Sequence, residues 1–171
     1  NEFGNQFKSV SKISDFVNNN LDCNFILKLH HFQFSLLKNV EIKKIGAKKN
    51  NYVFKEGKYI DAEESEDVIR LADIIISDIS GVGPTGVFLG KKVIFMEPYK
   101  KFNWEECDIE KDYRPGFVCK NFDDLIYSLK KYKNEENFFK NEKENFVKKI
   151  FFDHNIEPTK KISIYLQKII N

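Results

Sequence analysis

The sequence has little that would build a cross-linked, metal-bound or membrane-spanning protein. Its three cysteines show no CxxC spacing, which argues against a disulfide framework or a zinc site and predicts a reducing compartment. No apolar run approaches the roughly 18 residues that a membrane span requires. Arginine occurs only as Arg70 and Arg114, so nearly all of the positive charge is lysine.

The net charge is also small, at +2, and this gives no strong argument for a nucleic-acid partner. The 171 residues are 42% apolar and 15% aromatic, which is enough to form one domain with its own core. The abundant Lys, Asn, Ile and Phe indicate a compositional bias rather than a designed basic surface. Because the chain does not begin with Met, we expect a piece of a longer protein.

Helical spacing and short apolar runs alternate along most of the chain. Residues 1–21 predict an amphipathic helix, 23–29 a buried strand, and 52–54 a short strand between lysine-rich loops. Further helices are predicted at 61–71, from 121 or 123 to 132, at 135–150 and at 159–170, with an edge strand at 116–119. This order predicts an α/β domain of the Rossmann-like type, in which helices cover both faces of a mostly parallel sheet.

The segment 71–98 is the most informative part of the sequence. Three isoleucines at 74–76 and the apolar run at 93–96 predict two buried strands, and residues 85–89 between them predict a short helix. Strand, turn, helix and strand make a βαβ unit, whose ligands bind beyond the carboxyl ends of the strands. Asp78, Ser80 and Gly81 fall at that edge, where unpaired backbone amides suit a phosphate.

Three other interpretations of this segment compete with phosphate binding. Asp78 and Ser80 could merely cap the following helix. The glycines at 81 and 86 have P-loop spacing, but Val87-Phe88 stand where Lys and Ser/Thr are required. Residues 81–86 also fit the bare GxGxxG pattern, but they follow a later strand and Glu97 comes too soon for the usual acidic residue.

This segment resembles the C-terminal half of the CDP-glycerol glycerophosphotransferase family, whose members build teichoic-acid-like and some capsular polymers. The matching residues here are Asp73, Asp78, Ser80, Leu89, Lys91 and Phe95. Lys28 and His30 also match, with His31 in place of a family proline. The sequence departs from the family at Gly81, Gly83, Pro84, Thr85 and Lys92.

The resemblance implies roles for particular residues. His30 would contact the donor phosphate or assist proton transfer, which suits an imidazole that titrates near neutral pH. The alternative is a histidine at a strand end, hydrogen-bonded to a loop. Ser80, Gly81 and Arg114 would hold the diphosphate, and Asp78 would orient the turn. Arg114 could instead be an exposed loop arginine.

Thr85 stands where the family has an acidic residue that meets the ribose or the acceptor. A hydroxyl can hydrogen-bond there but cannot ionise. Glu97 and Tyr99 follow the second central strand and are expected to line the crevice around the base or ribose.

The implied protein is the donor-nucleotide half of a two-domain GT-B-like transferase. The full enzyme would transfer glycerol phosphate, or a related polyol phosphate, from a CDP-activated donor to a cell-surface polymer. Its partners would be the N-terminal half of the same protein and a lipid-linked polymer acceptor. We expect no metal and no cofactor beyond the CDP-linked substrate. The expected location is cytoplasmic, at most peripheral to the inner face of the membrane, and the isolated domain should be inactive.

Two alternatives stay open. A GT-B glycosyltransferase or an epimerase-like enzyme would use a nucleotide-sugar donor, and the Ser80-Gly81 pair is closer to that pattern. A non-catalytic nucleotide-binding domain would keep the fold without the chemistry, and Thr85 with Gly83-Pro84 favours it.

Overall fold

Helices and short strands alternate in the computed structural model, which describes residues 6–28, 39–54, 62–78, 80–97, 114–135, 138–150 and residue 167. The helices are α1 (Gln6–Asn20), α2 (Asn39–Gly46), α3 (Ala62–Leu71), α4 (Val82–Phe88), α5 (Phe122–Asn134) and α6 (Lys140–Ile150). The strands are β1 (Phe25–Lys28), β2 (Asn51–Phe54), β3 (Ile74–Ser77), β4 (Lys92–Met96) and β5 (Phe117–Cys119). Apart from residue 167, the helix predicted at 159–170 lies outside the described residues.

All pairings between the described strands are parallel. β1 pairs with β2, and a second sheet has the order β3-β4-β5. In this sheet Ile76 is level with Ile94, which is level with Phe117. The α/β class with parallel strands is therefore confirmed, and β5 is an edge strand of its sheet, as its sequence predicts.

Helices cover both faces of the three-stranded sheet. One buried cluster joins Ile94 and Cys119 of the sheet to residues of α1 and α5. The opposite cluster joins Ile75, Val93 and Phe95 to residues of α3, α4 and α6. Because successive strand residues point to opposite faces, the apolar runs of β3 and β4 supply both cores.

Part of the predicted secondary structure is wrong at its boundaries. The region expected as a lysine-rich loop before β2 contains α2, because Ile45 is buried against Leu27 and Val53. The central helix begins at Val82 rather than Thr85, and Pro84 is tolerated there because a first-turn residue needs no intrahelical donor. The helix predicted from 135 begins at Lys140, after Phe139 in a left-handed conformation.

Lysines occupy the amino edge of the three-stranded sheet. The ammonium of Lys91 donates to the carbonyl of Arg70, in the last turn of α3, at 2.6 Å. Lys92 donates to the carbonyl of Tyr132, near the end of α5, also at 2.6 Å. Lys143 donates to the carbonyl of Lys91 at 2.9 Å, and burial, with a smaller contribution from the charge of Lys92, lowers its pKa. Lys91 and Lys92 thus satisfy carbonyls in the last turns of α3 and α5 and place positive charge at the negative ends of these helix dipoles.

Within the described residues, no helix is both long enough and apolar enough to cross a membrane.

Tyr132 gives a pH-dependent test of the core. Its hydroxyl donates to the carbonyl of Val93 at 3.0 Å, and burial raises its pKa to about 12 from 10.0. Between those pH values the unfolded chain loses a proton that the folded chain keeps, so stability falls as the pH rises and is fully present below pH 10. Tyr132→Phe should cost about 1 kcal/mol at neutral pH and reduce this alkaline loss. Urea unfolding across the pH range measures both, and an unchanged alkaline slope would contradict the assignment.

Candidate functional site

The turn after β3 is held by its own side chains. Oδ1 of Asp78 accepts the backbone N–H of Ser80 at 3.0 Å. The hydroxyl oxygens of Ser77 and Ser80 lie 3.1 Å apart, and Ser77 is buried at the end of the strand. The Ser77 hydroxyl also donates to the carbonyl of Asp78 at 3.5 Å, so the Ser80 hydroxyl keeps its proton for another acceptor only when Ser77 donates to Ser80 instead. Asp78 therefore orients the turn, the role expected from its sequence position.

Some backbone amides at the start of α4 donate a hydrogen bond within the chain, and others do not. The N–H of Gly83 donates to the carbonyl of Ser80 at 3.3 Å, and that of Thr85 donates to Gly81 at 3.1 Å. Pro84 has no N–H to donate. Considering only the described residues, the amides of Gly81 and Val82 donate no hydrogen bond.

The glycines of this segment differ in their surroundings: Gly83 and Gly86 lie against the strands, whereas Gly81 is open. A Cβ on Gly83 would lie 2.6 Å from the Phe95 ring, and one on Gly86 would lie 2.6 Å from Cδ1 of Ile75. Both glycines therefore let α4 pack directly on β3 and β4. A Cβ on Gly81, by contrast, would meet nothing within 4 Å. Gly81 is also exposed, so the side on which its Cβ would stand is open.

Side-chain capping does not explain the turn. The N-cap residue of α4 is Gly81, and no side chain accepts a hydrogen bond at this cap. Asp78 and Ser80 therefore do not cap Gly81 with their side chains, and the alternative of a purely structural turn stays open. Their hydrogen bonds shape the turn and leave the first amides available.

The side chain of Thr85 forms a hydrogen bond at the start of its own helix, α4. Its hydroxyl donates to the carbonyl of Gly81 at 2.9 Å, a bond from residue i to residue i−4. The oxygen can still accept a hydrogen bond, but its one proton is used. This residue therefore does not replace the acid that the resemblance expects.

Arg114 approaches the sheet from another direction. It precedes β5 at the amino end of that strand, whereas Ser80 follows the carboxyl end of β3, and β4 lies between the two strands. Its Nε and Nη1 atoms are buried, so Arg114 is not an exposed loop arginine. A contact between Arg114 and a diphosphate stays a prediction from the resemblance.

Of the remaining residues predicted for the site, Glu97 is among the described residues. His30 lies outside the described residues, as do His31 and Tyr99; His30 comes two positions after β1 ends at Lys28. Glu97 directly follows β4, and its N–H donates to the carbonyl of Cys119 at 2.8 Å. Glu97 and the turn at Asp78 thus follow the carboxyl ends of neighbouring parallel strands.

Sequence reasoning missed two members of this turn. Ser77 was included in no predicted site, although a serine that ends three isoleucines is the visible signal. Val82 contributes through its backbone amide, for which its side chain gives no signal. The amides of Gly81 and Val82 and the hydroxyl of Ser80 are neutral donors that could bind an anion, whereas the buried Ser77 bonds to Ser80.

Comparisons of the chain with protein-family models, with curated proteins and with solved structures find no match. The resemblance to the glycerophosphotransferase family therefore stays a prediction from the sequence.

The crowded Gly86 and the open Gly81 predict unequal effects of an added methyl group on stability. Gly86→Ala should lower the free energy of unfolding by about 1–3 kcal/mol, because the new Cβ overpacks the contact with Ile75 and Val93. Gly81→Ala should change it by less than about 0.5 kcal/mol, because the site is open and φ is −60°. Urea unfolding of both variants measures the difference. Equal losses of stability would contradict the described packing of α4.

Proposed function

We propose that this chain is the donor-nucleotide half of a GT-B-like transferase, which transfers glycerol phosphate or a related polyol phosphate from a CDP-activated donor. The observation that carries the proposal is the turn at 78–82. It leaves the amides of Gly81 and Val82 unused among the described residues and presents Gly81 to open space. A diphosphate oxygen accepts hydrogen bonds from such amides, and a nearby Ser80 hydroxyl would add a further donor.

The arrangement of strands supports the same location. Phe25 of β1 packs on the buried cluster that Ile74 and Ile76 of β3 also contact. β1 and β3 thus belong to two separate parallel sheets that share one buried cluster. Open α/β sheets bind ligands beyond the carboxyl ends of their strands, and His30 and the turn at Asp78 each follow such an end in sequence. In the proposed complex His30, after β1, and the turn after β3 would lie on either side of the diphosphate.

A non-catalytic nucleotide-binding domain is the second candidate. The Thr85 hydroxyl donates to the carbonyl of Gly81 at the start of α4, and Gly83 packs against the Phe95 ring. The residues that depart from the family pattern thus serve the helix and its packing. A chain that kept the turn and lost the chemistry would have these features.

Nucleotide titration separates the candidates and tests the turn. We expect the chain to bind CDP more tightly than UDP or ADP in isothermal titration calorimetry. Gly81→Ala should weaken CDP binding about tenfold, because its methyl group occupies the space where phosphate would approach the amide. Gly46→Ala is the matched control, since its Cβ would make an ordinary 3.4 Å contact away from the turn. Uridine preference would favour a nucleotide-sugar enzyme, and no binding of any nucleotide would overturn the proposal.

The catalytic part of the proposal is tested in the full-length protein that contains this chain. His30→Ala should lower kcat by about 100-fold or more if the imidazole transfers a proton or neutralises the leaving diphosphate. Turnover with CDP-glycerol and a polymer acceptor measures the effect. Retained turnover would remove His30 from the mechanism, whereas CDP binding without turnover in the unchanged protein would support the non-catalytic candidate.

A further inference from the structure

Phe139 has a backbone conformation that is rare for a bulky residue. Its φ is 60°, in the left-handed region that glycine adopts freely and that a residue with a Cβ disfavours. Among the described residues, the only other non-glycine with a positive φ is Asn50, and asparagine tolerates this region better. The chain therefore holds backbone strain directly before α6, which begins at Lys140.

Aromatic packing on one face of the sheet holds the strained residue in place. The ring centroids of Phe138 and Phe139 lie 5.4 and 5.1 Å from that of Phe117 in β5. All three rings pack against the buried cluster that joins the sheet to α1 and α5. The carbonyl of Phe139 accepts the N–H of Lys143 at 2.9 Å, at the start of α6. Phe139 is thus a strained joint between a fixed aromatic cluster and a helix.

On the opposite face of the sheet, few buried groups hold α6. Phe146 is the one residue of α6 that is buried, and it shares a cluster with Val87 of α4. By contrast, α5 buries four residues. The ammonium of Lys143 donates to the carbonyl of Lys91 at 2.9 Å, but burial of this ammonium is unfavourable enough to lower its pKa. The packing of α6 is therefore weaker than that of α5.

Elements with few buried contacts open at a lower free energy than the whole domain unfolds. Opening of α6 also lets Phe139 leave the left-handed region, so the release of strain favours the open form. We propose that α6 is a strap that opens as one unit at Phe139 while the sheet and α5 stay folded. The open form uncovers Val87 and the outer face of α4, an apolar surface that the closed form buries. This opening requires no ligand, so it is independent of the proposed function.

Native-state hydrogen exchange of the unchanged chain, followed by NMR, measures the opening. The amides of Phe146 and Val147 in α6 should share one opening constant. After correction for intrinsic rates, they should exchange at least about tenfold faster than the amides of Val93 and Ile94 in β4. Equal protection of α6 and β4 would overturn the proposal, because α6 would then open only when the domain unfolds.

Two substitutions at the joint isolate the contribution of strain. Phe139→Ala and Phe139→Gly both remove the ring, so they differ only by the Cβ that the left-handed region disfavours. The opening constant of α6 should therefore be about fivefold larger in Phe139→Ala than in Phe139→Gly. The same opening constant in both variants would overturn the role of the joint.

Gly90→Ala is the matched control, because Gly90 also has a left-handed φ, of 74°, in the turn between α4 and β4. A Cβ there would meet nothing within 4 Å, so this variant adds strain without a clash. The added strain is present whether α6 is closed or open, and only global unfolding releases it. Exchange in β4 should therefore become about fivefold faster, while the opening constant of α6 stays the same. An equal increase in α6 and β4 would contradict an independent opening of the strap.

Discussion

The close contact between α4 and the strands beneath it is the constraint on which the candidate site depends. Gly83 lies against Phe95 and Gly86 lies against Ile75, with no room for a Cβ at either position. This contact fixes where the helix begins and hence where its first amides are held. A helix held further from the sheet would move those amides away from the ends of β3 and β4. The packing of small residues therefore positions polar groups that never enter the core.

The two edges of the three-stranded sheet differ in how their backbone groups are satisfied. At the amino edge, the ammonium groups of Lys91 and Lys92 donate to carbonyls near the ends of α3 and α5. At the carboxyl edge, the described residues leave the amides of Gly81 and Val82 without acceptors. The first amides of a helix have no intrahelical acceptor, and water, a side-chain cap or a ligand satisfies them. The amino edge is thus completed by the chain itself, whereas the carboxyl edge keeps donors for water or for the proposed ligand.

Sequence reasoning succeeded where a local pattern dictates structure. The isoleucines before Ser77 and the apolar run ending at Met96 predict two buried parallel strands, because only strands buried on both faces are apolar throughout. The predicted edge strand is found at Phe117–Cys119, and of the two predicted helix starts, 121 and 123, the cap is Asn121, whose side chain accepts the N–H of Asp124. The turn at Asp78 was found for the same reason, since small polar residues directly follow an apolar strand.

The parts that could not be predicted depend on contacts between distant residues. In α2, Ile45 packs against Leu27 and Val53, and its eight residues are too few for a helical pattern to stand out from the lysines around them. A buried hydrogen bond from Asn51 to Ser14, 37 positions apart in sequence, has no local signal either. The packing roles of Gly83 and Gly86 were missed because a glycine pattern does not say which side of a helix faces a strand.

Amide chemical shifts during a titration with CDP test the central claim most directly. The proposed binding of phosphate by the turn predicts that the largest ¹⁵N–¹H shift changes occur at Gly81 and Val82 and saturate with one equivalent of CDP. The amides next to Lys91 and Lys92 should change little, because their edge is occupied by the chain's own carbonyl contacts. Shift changes that cluster at the amino edge, or none at Gly81 and Val82 at saturating CDP, would contradict the account.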